Sequence, residues 1–234
     1  MPARRTIWNL LVAGSATLAA LATTAPLLAQ PAPPAPQARF VVVLDAAHGG
    51  DDTGGHLANN QLEKSFTLAI GVRLRSLLAA RGIQVVTTRD TDATVDPVKR
   101  AEIANHAQAQ ACLSLHATES GSGVYLFASS LAPAAPARFP AWKTAQAAWV
   151  TRSLNLEGVL NSALLNAGMS VTRSRTSVTA VDSMTCPAVA VEIAPEQNAG
   201  HQTTAELNDK DYQARVAAAL AVALLEWRTE ARQP

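Results

Sequence analysis

The chain has 234 residues, with 19 basic and 18 acidic side chains, a net charge of +1 and 48% hydrophobic content. So even a balance gives no electrostatic basis for a nucleic-acid partner. Two cysteines, Cys112 and Cys186, are too few for a scaffold built on disulfides.

Arg4 and Arg5 precede an uncharged run, Ile7 to Ala29, rich in Leu, Ala and Thr. A basic start, an apolar stretch and a small-residue end predict an export signal over residues 1–29. The competing reading is an uncleaved anchor, because about 20 apolar residues also span a bilayer. No Cys follows the run to accept a lipid. Residues 30–38 are a Pro-rich spacer that cannot build a core. Residues 39–230 then suffice for one domain, and without Arg4 and Arg5 the chain is close to neutral.

Arg39–Asp45 (RFVVVLD) is a continuous β-branched run, which predicts a strand buried on both faces. A Gly-rich loop, Ala46 to Gly55, follows. Leu62 to Arg81 reads as a helix, with Phe66, Ile70, Leu74 and Leu77 on one face and Gly82 to end it. Ile83–Thr87 is a second strand. Asp96-Pro97 supplies a cap and a first-turn proline for a helix to about Ala107. Ala111–Leu115 and Gly123–Ala128 read as strands, and Ser129 to Pro140 as a Pro/Ala-rich loop. An interrupted helical stretch, Trp142 to Asn166, precedes a strand within Val171–Ala180 and another at Ala188–Ile193 (AVAVEI). The last helix, Asp209 to Arg228, lines up Tyr212, Val216, Leu220, Leu224 and Trp227. Alternating strands and helices predict an α/β fold: a mixed, mostly parallel sheet in a single domain with helices on both faces.

In such sheets functional groups gather beyond the carboxyl ends of strands. His48 follows the first strand, His116 follows the third, Glu192 closes AVAVEI, and Glu63 opens the first long helix. Two neutral imidazoles and a carboxylate suit Zn²⁺ and leave a fourth position for water. The expected ligands are therefore His48, Glu63 and His116, with Glu192 as the base that handles the water's proton.

The stretch VVVLDAAHGGDDTGG followed by Leu62-Glu63-Lys64, then LLAARGIQVVTTRD, KRAEIANHAQAQ, LSLHA and PAVAVEI, resembles the zinc-dependent N-acetylmuramoyl-L-alanine amidases over about Phe40 to Trp227. The resemblance implies zinc on His48, Glu63 and His116, and catalysis by Glu192. It also implies hydrolysis of the amide joining N-acetylmuramic acid to L-alanine in peptidoglycan, by a periplasmic or secreted enzyme. Activator proteins and membrane attachment, the latter through an uncleaved anchor, are left open. The chain departs from the family at Ala47, where Gly is usual, at Thr118 in place of Asn, and at Ile193–Asn198 in place of a more apolar continuation. Two other readings stand beside the amidase: a wall-binding pseudoenzyme that keeps zinc, and a zinc peptidase acting on stem peptides.

Other polar residues have plainer expectations. His56 and His201 read as loop residues and His106 as a helix end. Asp45 and Asp51 flank His48 and are candidates to orient it. Arg89 is expected to hold a strand end by a salt bridge. Arg173 and Arg175 are either exposed charges or contacts for an acidic stem peptide, and Trp142 and Trp149 are packing residues. Cys112 and Cys186 are expected to be separate buried thiols.

Overall fold

The computed structural model describes residues 39–138 and 141–230, so the expected export signal and the whole of the spacer lie outside the described residues. In chain order the elements are β1 (Val41–Ala46), α1 (Glu63–Ala79), β2 (Gln84–Thr87), α2 (Pro97–His106), β3 (Ala111–Ala117) and β4 (Val124–Ser129). There follow α3 (Val150–Asn166), β5 (Val171–Thr176), α4 (Thr179–Asp182), β6 (Ala188–Ile193), β7 (Glu196–Gln197), β8 (Thr203–Ala205) and α5 (Lys210–Glu230). One six-stranded sheet has the order β2-β1-β3-β6-β4-β5. Every pairing is parallel except β4 with β6, so the mixed, mostly parallel sheet expected from the alternation is present.

Two apolar layers sandwich it. Val42, Leu44, Leu113, Leu115, Val189 and Val191 face one side, under Phe66, Ile70 and Leu74 of α1, Leu156 and Leu160 of α3, and Val216, Leu220 and Leu224 of α5. Val43, Cys112, Ala188 and Ala190 face the other, packed on Ala101 and Ala104 of α2 and Val181 of α4. The strict alternation in β1, β3 and β6 explains why their sequences read as unbroken apolar runs: each strand is covered on both faces.

Capping follows the sequence. Asp96 accepts a hydrogen bond from the Lys99 N–H at 3.0 Å, with Pro97 in the first turn of α2. The long helical stretch breaks at Trp149, where a 3-10 segment (Trp142–Ala148) meets α3. The short hairpin of β7 and β8 has no counterpart among the predicted elements; its strands are two and three residues long and carry no alternation to read.

The expectation for the cysteines is overturned. Cys112 and Cys186 are not separate thiols but a disulfide, with Cα atoms 6.3 Å apart. Both sit in apolar stretches, which made burial legible, but only the sheet order reveals that β3 lies beside β6. Cys112 pairs in register with Ala188, two residues beyond Cys186, which brings the Cα atoms within bridging range.

Candidate metal centre

Three elements deliver the three expected ligands to one point. β1 ends at Ala46, yet Ala47 still continues its ladder, its N–H donating to the Leu115 carbonyl. The turn falls on His48, whose φ of 61° lies in the left-handed region that a side chain with a Cβ rarely adopts. Strain of this kind persists only where surroundings over-determine it, and here they do. Arg100 donates to the carbonyls of Ala46 and His48, both at 2.7 Å. Arg89 donates to those of Ala46 and Ala47 at 2.9 and 3.1 Å. Ala47, where the family usually has Gly, is not among the positive-φ residues, and the loop's strained position is the histidine itself.

Glu63 is the first residue of α1 and only 6% exposed. One carboxylate oxygen lies 3.1 Å from His48 Nε2 and accepts the Gly55 N–H at 2.8 Å. The other lies 3.1 Å from His116 Nδ1 and accepts the Ala117 N–H at 3.1 Å. The two imidazoles meet edge to face, with centroids 5.6 Å apart. One atom from each of the three residues falls within 4.8 Å of the others. Ligand atoms around a tetrahedral zinc at its usual bond lengths stand ~3.3 Å apart, so the spacing and the N, N, O donor set fit such an ion. Gly54 makes room: its φ is +67°, and a Cβ there would lie 2.6 Å from the His48 ring and 2.7 Å from the Glu63 carboxylate.

Electrostatics match the geometry. Burial alone would raise the Glu63 carboxyl, but hydrogen bonds to His116, His48 and two backbone N–H groups outweigh it and hold the group ionised well below the ordinary carboxylate range. The Glu63 carboxylate raises the His48 imidazole above its usual 6.5, against burial and with help from Asp52.

Behind the ligands stand residues that sequence reasoning missed. Asp52, not Asp45 or Asp51, meets His48: both its carboxylate oxygens lie 2.9 Å from Nδ1. With the proton on Nδ1 donated there, Nε2 is left as the free lone pair. Asp45 serves the other histidine through an intermediary. The Ser114 hydroxyl donates to Asp45 at 2.7 Å and stands 3.4 Å from His116 Nε2, while Arg100 completes a buried ion pair with Asp45. Asp52 has a legible signal, its i+4 spacing from His48. Nothing local marks Ser114 or Arg100.

Glu192, half-buried, lies opposite His116 in the β3–β6 register. Among the described residues no hydrogen bond reaches its carboxylate. Burial pushes its carboxyl up, His116 draws it down and the Glu63 charge raises it, with a net rise. All four expected residues are therefore at one end of the sheet, three joined directly and Glu192 beside them.

The remaining expectations divide. His56 is exposed in the loop before α1, His106 sits in the last turn of α2, and His201 lies between β7 and β8. Arg89 forms no salt bridge among the described residues; its guanidinium is buried and satisfied by carbonyls and Thr67, so it splints the loop instead. Arg173 pairs with Glu157 at 2.7 Å, and Arg175 donates to the carbonyls of Ser129 and Leu131. Trp149 is half-buried under the Arg152 guanidinium, while Trp142 is exposed rather than packed. Thr118 donates its N–H to Ile193, and Ile193–Asn198 leads into β7 with Glu196 held by Arg215. These two departures leave the ligand set intact.

Comparison with known proteins points to one family. A family model described as N-acetylmuramoyl-L-alanine amidase matches residues 42–226. The N-acetylmuramoyl-L-alanine amidase AmiA of Escherichia coli is 36% identical over 105 residues, which is 42% of this chain and 36% of that protein. A germination-specific N-acetylmuramoyl-L-alanine amidase of Bacillus subtilis is 31% identical over 90 residues, 32% of this chain and 38% of that protein. The chain thus spans little more than a third of these relatives' length. The catalytic domain of CwlV, an N-acetylmuramoyl-L-alanine amidase of Bacillus (Paenibacillus) polymyxa var. colistinus, superposes with a TM-score of 0.63 at 25% identity, covering 81% of this chain and 98% of that domain.

Proposed function

The chain belongs to the N-acetylmuramoyl-L-alanine amidase family over residues 42–226, and from that premise we propose that it hydrolyses the amide between N-acetylmuramic acid and L-alanine in peptidoglycan, using zinc held by His48, Glu63 and His116 and a proton shuttle at Glu192. The observation that carries the reading is the meeting of His48 Nε2, the Glu63 carboxylate and His116 Nδ1 beside Glu192 at one sheet edge.

When bound there, the metal would polarise the scissile carbonyl and make water nucleophilic near neutrality. Asp52 and the Asp45–Ser114 pair fix which nitrogen each histidine presents. Glu192, raised by burial and without a hydrogen-bond partner among the described residues, suits a base that takes a proton from water and gives it to the departing nitrogen. The carbon–nitrogen bond breaks as hydroxyl joins the carbonyl carbon, so atoms balance without a covalent enzyme intermediate.

An exported enzyme is the reading that the Cys112–Cys186 bridge supports, because such bonds persist in oxidising compartments. Residues 1–29 would serve as the export signal and 30–38 as its spacer. Among the described residues no helix is long and apolar enough to cross a membrane.

The test is incubation of the purified protein with peptidoglycan and mass spectrometry of the soluble products. Release of intact stem peptides, stopped by chelator and restored by zinc, is expected. Shortened stems would replace the amidase with a peptidase, and zinc-bound protein that releases nothing would favour the pseudoenzyme. Glu192→Gln should abolish release while zinc stays bound; loss of the metal would reassign Glu192 as a ligand.

A further inference from the structure

A continuous row of side chains leaves the metal trio and crosses the sheet. His116 pairs with Glu192, Glu192 with Tyr125, and Tyr125 with Thr172, so the four project from one face on adjacent strands. In the neighbouring row Ala190 pairs with Phe127 and Phe127 with Ser174. Beyond Glu192 this face opens: Tyr125 and Phe127 are half-buried, and Thr172 and Ser174 are exposed.

The two rings stack with centroids 6.4 Å apart and planes 9° from parallel. Tyr125 is fixed at its far end. Its hydroxyl accepts the Ser122 N–H at 3.0 Å, and Gly121 (φ +89°) passes so close that a Cβ would overlap the phenol oxygen. Arg173 and Arg175 project to the opposite face, so β5 contributes the hydroxyls of Thr172 and Ser174 to this surface rather than its arginines. A partly buried pair of stacked rings, Tyr125 pinned at its hydroxyl and Phe127 packed against the core, beside the carboxylate proposed as base suits an extended chain better than an enclosed ligand.

Direction follows from the chemistry of the amidase reading, on which this inference rests. The scissile carbonyl must face the metal trio, on the β1–β3 side of Glu192, and the nitrogen that receives the proton must face Glu192. The chain that continues from that nitrogen therefore leaves over β4 and β5. We propose that Tyr125 and Phe127 form the binding shelf for the leaving side of the substrate, the stem peptide, with Thr172 and Ser174 supplying hydrogen bonds at its outer edge. Two strand spacings separate β6 from β5, roughly 10 Å, or about three residues of extended peptide.

The test compares kcat/KM of the zinc-loaded protein on N-acetylmuramoyl-L-alanine and on the corresponding N-acetylmuramoyl tripeptide. The parent protein should prefer the tripeptide. Tyr125→Ala should lose about five- to tenfold more on the tripeptide than on the short substrate, through KM, in keeping with one aromatic contact. Tyr125→Phe should keep the preference, because the ring surface is retained. Thr172→Ala, at an exposed edge position, should erode the preference about twofold by loss of one exposed hydrogen bond, and carries the test if Tyr125→Ala does not fold. Indifference of the parent protein to peptide length, equal losses on both substrates, or losses that follow glycan length instead would overturn the shelf. Cleavage of neither substrate by the parent protein would overturn the amidase reading and the shelf with it.

Discussion

As a proposed zinc ligand His48 carries two opposed demands: it would bind a metal only as a neutral imidazole, yet the Glu63 carboxylate raises its affinity for a proton. Zinc affinity should therefore fall as pH drops through that raised value, which begins above 6.5, and titrations at several pH values check it. The metal-free fold should respond in the opposite sense. A raised histidine contributes stability that is fully present below 6.5 and lost as pH climbs through the folded value, so melting curves of zinc-free protein should move down from mildly acidic to mildly alkaline buffer. Asp52→Asn removes the carboxylate that holds His48 Nδ1. It should weaken zinc about 10- to 100-fold with the secondary structure intact, as read by competition with a chromophoric chelator. At this scale the meeting of the three proposed ligands was legible because each is a chemistry-bearing residue at a strand end or helix start. Arg100 and Ser114 were not, because an arginine within a helix and a serine within a strand look ordinary until the sheet places both beside Asp45.

Elements were read as well as their local signals allowed. The cap at Asp96 and the glycine after α1 were explicit in sequence, and both ends fall where they indicated. Asp96→Ala should cost about 1 kcal/mol through the lost cap, visible as a lower urea midpoint with zinc binding unchanged. β5 was only loosely bounded within Val171–Ala180, because it lies at the sheet edge and five of its six residues are exposed. Without burial on alternate positions there is no period to find. The same exposure leaves Thr172 and Ser174 beside the aromatic shelf.

For the whole molecule, the alternation of strands and helices was enough to predict a mixed sheet with two covered faces, since burial on both sides writes itself into β1, β3 and β6. Strand order was not written there, and with it went the disulfide. The bridge closes a 74-residue separation across the β3–β6 pairing that sets His116 opposite Glu192. Replacing both cysteines with Ala should lower stability by about 2–4 kcal/mol, measured by denaturant unfolding, and the variant should still bind zinc once folded.

The hydrogen bonds that tie Glu63 to both histidines, and the two arginines beneath the His48 loop, bear on how the protein acquires its ion. If these contacts order the site on folding, capture of a metal would be governed by encounter and by release of a proton rather than by rearrangement of the chain. Protein stripped by a chelator should then reload in a single fast phase in stopped-flow mixing with zinc. A chain built this way would finish folding where free metal is scarce and become active later, when the first ion arrives.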